Sequence, residues 1–586
     1  MGVSNRRFLA ASFLLLAFVL VPAFLTPAAD ASHEAAAALL HAPARAASTP
    51  EEVRARLDSI GVPGYVESGP RGGERWTAVR AFYEARGYRL AWVAGGRLTR
   101  PAEALLRAAM QSDREGLDTA LYADLAPRAG GIRRASVTDW ADPALDLDLQ
   151  VSYALLRFVD EMAHGRMDPR GKSAFWALHP ARTDVVSVLA RASEGGLSDE
   201  VRAELWPQHA QYDALRRERD RYRDLASLGG WGKVEAGPAL KPGQRSARVA
   251  ALRARLVAGG DLPADTTGGH LVADPAPEIE YDAGLAAAVK ELKARHGLTP
   301  NALVDAATVA ALNVSVAERM RQIEVNLERW RWLPRRLGER YLLVNIPTFE
   351  LQGYEGRRRT LHMRVVTGTA GETPTPVFAE EMTHVVFSPY WNVPPGIARE
   401  EVAPAVWHDR SYLARNNMEI LKGSRVVDPW TVDLGDPGLR FRQRPGPGNS
   451  LGRVKFMFPN RYRVYLHDTP ARSLFAKRQR DYSHGCVRVQ EPFELAQWVF
   501  EGTDWTPGRI RAAMNAGTEK HVRLERPVPV YIAYFTVWVD DQGRAQFRPD
   551  VYRHDAAHAP LLPPAPDPEP PPTKVARTVV AAATSF

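Results

Sequence analysis

At Trp330 the spacing of apolar residues changes period, and no single architecture accommodates both halves of the chain. Upstream, apolar side chains recur three and four residues apart. "WTAVRAFYEARG" places Trp76, Val79 and Tyr83 on one helical face with Gly87 as a stop. "LDLDLQVSYALLRFVDEMAHG" repeats the pattern through Leu149, Tyr153, Leu156 and Val159 and ends near Gly165. Downstream, "RYLLVNIPTFEL", "TLHMRVVTG", "THVVFSPYWNV", "RVKFMF", "YRVYLH", "CVRV" and "PVYIAYFTVWVD" are short runs rich in Val, Tyr and Phe, broken by Gly, Pro and Asn. That pattern predicts a largely β domain of sandwich or barrel type. A chain of 586 residues also exceeds what one core can organise. The expected fold class is therefore multidomain α+β.

The texture of the chain divides it further. Arg6 and Arg7 precede one apolar run from Phe8 to Leu25, and Ala29-Asp30-Ala31 offers small residues for cleavage. Residues 1–31 thus read as a secretory signal peptide or an N-terminal anchor, and the mature chain as exported. Residues 32–74 are Ala-rich and weakly patterned, which suggests a linker. A helical domain is expected over 75–235. Between 236 and 318, "SARVAALRARLVAGG" and "DAGLAAAVKELKARHGLTPNALVDAATVAALN" give three amphipathic helices with a turn-rich break at "HGLTPNALVD". The β domain spans 319–540, with an insertion at about 396–450 of helical and loop character that is long enough to face a substrate. Residues 541–586 form a C-terminal extension whose "PLLPPAPDPEPPP" tail is expected to be disordered. The net charge of +8 favours an anionic partner: nucleic acid, an acidic membrane surface or an anionic wall polymer. The basic residues are spread along the chain with no nucleic-acid-binding motif, so nucleic acid is not expected. A membrane role is expected only if the N-terminal segment stays uncleaved.

One cysteine, Cys486, stands in the whole chain. Exported compartments are oxidising, and structural cysteines there come in pairs. A lone thiol is either a small buried hydrophobe or a reactive group. Its neighbours favour the second reading. In "YSHGCVRV" an extended backbone puts His484 and Cys486 on one face, and Gly485 between them lets its N–H approach a reacting group. Nineteen residues earlier His467 closes "RVYLH", and pairing of the two strands would bring it against the thiol. An imidazole can take the thiol proton and return it to a leaving amine, and backbone N–H groups can hold an oxyanion at roughly 3–4 kcal/mol per donor. The combination performs acyl transfer. Water as acceptor would make the protein a cysteine peptidase or amidase instead. A zinc site on His467, Asp468, His484 and Cys486 is a third reading, although His-x-Cys is weak ligand spacing. No cofactor or metal is expected.

"SHGCVRV" preceded by "YLHDTP" resembles the signature of the L,D-transpeptidases, whose catalytic domain is known as YkuD. "RQRPGPGNSLGRVKFMFPN", "TPTPVF" and "FSPYWNVPPGIA" resemble the large multidomain branch of that family. That branch carries a helical scaffold domain, a peptidoglycan-binding domain and a capped catalytic domain in this order. Residues 240–315 resemble the small three-helix peptidoglycan-binding domain, except that its usual Phe-Gln is replaced here by Leu292-Lys293. The resemblance implies attack by the cysteine on the third residue of a tetrapeptide stem. Terminal D-alanine is expelled, and transfer of the acyl group to a neighbouring stem gives a 3–3 crosslink. It implies Cys486 as nucleophile, His467 as general base, and Gly485 and Cys486 as oxyanion donors through their N–H groups. Ser483, His484 and Arg488 would support or bind the substrate, and Asp468 would orient His467 through its backbone or its carboxylate. It further implies peptidoglycan stems as donor and acceptor, other wall-synthesis enzymes as candidate partners, a periplasmic or envelope location, and acylation by carbapenems. A cysteine-dependent L,D-carboxypeptidase and a non-catalytic wall-binding scaffold are the alternatives.

Overall fold

The computed structural model describes residues 48–122, 125, 142–169, 173–263 and 278–562. The expected signal peptide and the Pro-rich tail beyond residue 562 lie outside them. The chain is multidomain α+β, with helices first and a mainly β C-terminal part.

Helices α1 (Pro50–Ser59), α2 (Pro70–Ala85), α3 (Arg100–Met110), α4 (Pro143–His164), α5 (Val185–Gly195) and α6 (Asp199–Leu205) share one core. The linker expected up to residue 74 is corrected here. Thr49 and Glu52 form a reciprocal capping box, and Val53 and Leu57, four apart, are buried. In α4 the Asp142 side chain caps the first turn, and Pro143 follows at the position that needs no N–H donor. Gly165 ends α4 at φ +81° because a Cβ there would sit 2.3 Å from the Glu328 carboxylate.

Helix α7 (Ala210–Ser227) fell within the expected helical domain, yet its Tyr212, Leu215 and Tyr222 pack into the core of the β domain. Helices α8 (Ala247–Ala258), α9 (Ala283–Arg295) and α10 (Ala306–Leu312) form a separate small lobe. Lys293, which departs from the family pattern, points inward. Its ammonium donates to Asn301 Oδ1 and the Leu303 carbonyl, both at 2.7 Å. Helix α11 (Val316–Arg331) then runs into the β domain through Trp330, which stacks on Phe535.

Nine strands of the described residues form one sheet: β1 (Arg340–Asn345), β2 (Glu350–Glu355), β3 (Arg358–Gly368), β4 (Phe378–Phe387), β9 (Val454–Met457), β10 (Leu466–His467), β11 (Asp481–Ser483), β12 (Val487–Val489) and β13 (Lys520–Ala533). Their order is β11-β3-β12-β10-β9-β4-β13-β1-β2, and β2 pairs again with β3. The ladder therefore closes on itself and leaves only β11 outside the ring. Between β4 and β9 lies the insertion. Strands β5 (Trp391–Asn392), β6 (Met418–Lys422), β7 (Arg425–Val427) and β8 (Leu439–Gln443) make a second sheet. Val402, Val406, Leu413, Ile420 and Phe441 give it a core of its own. The described part of the C-terminal extension packs on the β domain through Ala545, Phe547 and Leu562, with His554 and His558 also buried.

Candidate active site

Strand β10 lies between β9 and β12. It runs parallel to β12, with Leu466 opposite Val487 and His467 opposite Arg488. Leu466, Val487 and Val489 are fully buried in the core. Alternation then sends Tyr465, His467, Cys486 and Arg488 to the other face. Cys486 sits one residue before β12 and two places along from His467. A strand spacing of about 4.8 Å and a two-residue advance of about 6.6 Å put their Cα atoms about 8 Å apart. The register thus places the two residues diagonally on the same face of neighbouring strands.

His467 Nδ1 lies 2.6 Å from the backbone carbonyl of Asp468. A carbonyl only accepts, so Nδ1 carries the hydrogen and Nε2 keeps its lone pair. Burial pushes the imidazole down to about 3; the Arg488 charge acts in the same direction and the Asp468 carbonyl against it. Burial pushes the Cys486 thiol up to about 11, opposed by hydrogen bonding to Tyr465 and by the charge of Arg488. Both groups are therefore neutral at pH 7. The thiol faces the Arg463 carbonyl at 3.9 Å. Arg488 has no carboxylate partner among the described residues, and its Nε is buried without an acceptor.

The loop before the thiol is held from below. Ser483 Oγ donates to the Cys486 carbonyl at 2.5 Å and accepts the Gly485 N–H at 3.2 Å. The Gly485 N–H, expected to serve an oxyanion, is thus held by the Ser483 hydroxyl in this structure. The Cys486 N–H has no acceptor among the described residues. Gly485 has φ +105°, a region L side chains rarely adopt, and its carbonyl accepts from Thr375 Oγ1 at 2.8 Å. Thr369 N–H and Thr373 Oγ1 hold the Ser483 carbonyl at 2.9 and 3.0 Å. Tyr552, from the C-terminal extension, donates to the Gly368 carbonyl at 2.5 Å beneath the same loop. His484 turns outward, and its Nε2 pairs with Glu401 of the insertion at 2.6 Å.

The Asp468 carboxylate accepts the N–H groups of Arg453 at 2.9 Å and Thr469 at 2.7 Å. Its link to His467 thus runs through the backbone, and the carboxylate fixes the loop that carries that carbonyl. Gly452 has φ +60°, and a Cβ on it would lie 2.3 Å from Asp468 Cγ. Gly452→Ala is expected to displace Asp468 and turn the imidazole. Thioester formation should fall about 100-fold, with a stability loss of about 1–3 kcal/mol. Stopped-flow acylation and thermal unfolding check both, and an unchanged acylation rate would release Asp468 from this role. Gly452 stands in the quoted "RQRPGPGNSLGRVKFMFPN" without a role of its own. Thr375 stands in the quoted "TPTPVF" without a role of its own, and Glu401 and Tyr552 gave no sequence signal.

Among the described residues no three His, Cys, Asp or Glu side chains converge as metal ligands. His484 and the Asp468 carboxylate are each engaged elsewhere.

A closed β ring with a thiol and a buried imidazole on one face of neighbouring strands, joined to an inserted subdomain through Glu401, defines a thiol–imidazole domain with an insertion. Residues 339–523 match the L,D-transpeptidase catalytic domain, YkuD, and residues 77–218 match the Scaffold domain. This chain thus carries a YkuD-type L,D-transpeptidase catalytic domain behind a scaffold domain. A Haemophilus influenzae protein described as a "Putative L,D-transpeptidase" is 33% identical over 238 residues, which is 40% of this chain and 48% of that protein. The match thus spans about half the length of that relative. Among solved structures, an L,D-transpeptidase from Mycobacterium smegmatis is 11% identical with a TM-score of 0.17, covering 33% of this chain and 58% of its own. One from Xylanimonas cellulosilytica is 13% identical with a TM-score of 0.15, covering 51% of this chain and 99% of its own.

Proposed function

We propose that this protein is an L,D-transpeptidase that forms 3–3 crosslinks between peptidoglycan stem peptides through a thioester on Cys486. The observation that supports this reading is the diagonal placement of Cys486 and His467, with Nδ1 tied to a carbonyl and Nε2 left as a base. As Sγ attacks the stem carbonyl, its proton passes to His467 Nε2 and the Cys486 N–H receives the oxyanion. Collapse breaks the peptide bond, and the leaving D-alanine amine takes the proton from His467. An acceptor amine then gives a proton to His467, attacks the thioester and releases the sulfur, which is reprotonated. Because thiol and imidazole are both neutral at rest, proton transfer accompanies attack rather than preceding it. Ser483 holds the loop, His484 links it to the insertion, and Arg488 offers its charge to the substrate.

The setting proposed is the cell envelope after export, with no nucleic acid involved. Among the described residues no helix is long and apolar enough to cross a membrane. The lobe at 236–318 is proposed to contact the wall. Incubation with disaccharide tetrapeptide, followed by mass spectrometry, tests the reaction. Dimers lighter than two donors by one D-alanine are expected. Tripeptide alone would make the protein a carboxypeptidase.

A further inference from the structure

His467 has a second neighbour that the reaction above does not use. On β9, Lys455 lies directly opposite His467 in the antiparallel pair β9–β10, and Phe456 lies opposite Leu466. Phe456 and Leu466 are both fully buried, so Lys455 shares the outer face with His467. The strand order β12-β10-β9 then sets Cys486 on one side of the imidazole and Lys455 on the other. Lys455 is half-buried and makes no ion pair or hydrogen bond within the described residues. Glu519 acts on it only from a distance, since that carboxylate takes the Tyr390 N–H at 2.9 Å and faces His521 at 3.3 Å. A half-buried ammonium whose one acting carboxylate lies beyond ion-pair distance pays desolvation for little in return. Beside it, Arg488 is also without a carboxylate. Two cations flank one imidazole with no anion from the chain between them.

The missing anion follows from the geometry of the reaction, and this step rests on the proposed function. The acyl carbon sits at Cys486, so the leaving nitrogen must come within hydrogen-bond reach of His467 Nε2. The carboxylate of the leaving amino acid is two bonds beyond that nitrogen. Continuing away from Cys486, it lands over β9. We infer that Lys455 binds the free carboxylate of the expelled residue and makes the site specific for stems that end in an unamidated amino acid. A charge-assisted hydrogen bond of this kind is worth a preference of about 10- to 100-fold.

The test uses the full chain with two tetrapeptide stems, one ending in D-alanine and one in D-alaninamide. Thioester formation on Cys486 is followed by intact-protein mass spectrometry across substrate concentrations. The wild type is expected to favour the acid by about 10- to 100-fold, mostly through KM. In Lys455→Gln and Lys455→Met the acid-to-amide ratio should fall to near one, and in Lys455→Arg it should return. A general loss of structure would lower both rates and leave their ratio intact. Retention of the wild-type ratio in Lys455→Gln, or a wild-type ratio near one, overturns the role of Lys455 alone. A wild type that forms no thioester with either peptide overturns the underlying reaction as well.

Discussion

Cys486→Ala abolishes thioester formation and crosslinking, a fall of at least about 10,000-fold, while thermal unfolding stays close to that of the wild type. The size follows from the number of routes left. Removing a covalent nucleophile leaves only binding and oxyanion contacts, and such losses elsewhere reach about a million-fold. The fold is spared because the side chain lies on the outer face of the sheet and is only partly buried. The core at this place is Leu466, Val487 and Val489, on the opposite face. The loop is held through backbone groups of residues 483, 485 and 486, which alanine retains. Incubation with tetrapeptide and intact mass measurement checks the prediction. Crosslinks at the wild-type rate in the variant would remove sulfur from the reaction.

Cys486 and His467 were legible because their chemistry is local: a lone thiol beside Gly485, and an imidazole ending an apolar strand. Lys455 was not, because it meets His467 only through antiparallel pairing of β9 with β10. Glu401 lies 83 residues from His484, and no spacing rule joins a helical insertion to a loop across such a distance. The hold of the Ser483 hydroxyl on the Gly485 N–H was not legible either, since the direction of a hydroxyl is invisible in sequence. The change of period at Trp330 separated helices from strands, as the structure has them. It could not show α7 joining the β core, since an apolar helical face does not name its partner. Helix α1 was hidden by the Ala-rich composition before it, although Thr49 and Glu52 spell a capping box.

Acid is expected to destabilise the protein steeply between pH 6.5 and 5.5, well above the range in which carboxylates titrate. Among the described residues, five histidines are held well below their ordinary value chiefly by burial: His209, His296, His467, His554 and His558. Nearby arginines add to it: Arg357 at His209, Arg319 at His296, Arg488 at His467, and Arg329 at His554 and His558. Folded, His554 titrates at about 4, His467 at about 3 and His558 at about 2. Unfolded, all five titrate near about 6.5. Below that value the unfolded chain binds more protons than the native one, so stability falls as pH falls and is unaffected above it. Each histidine contributes about 1 kcal/mol over this interval, so five contribute about 5 kcal/mol, or about 12 °C in Tm. His554 and His558 stack with ring centroids 6.0 Å apart beside Arg329, so a charge on either raises the cost of the other. The C-terminal segment 545–562 should therefore open first, which hydrogen exchange at pH 5.5 reads directly. Calorimetry from pH 7.5 to 5 checks the slope, and His558→Leu should remove about a fifth of it. A flat profile would mean that these imidazoles are already charged or hydrated in the native state. The same numbers separate stability from chemistry: His467 stays unprotonated until about pH 3, so activity lost at pH 5.5 reports unfolding and recovers on return to neutral pH, whereas titration of the base would leave the folded signal unchanged.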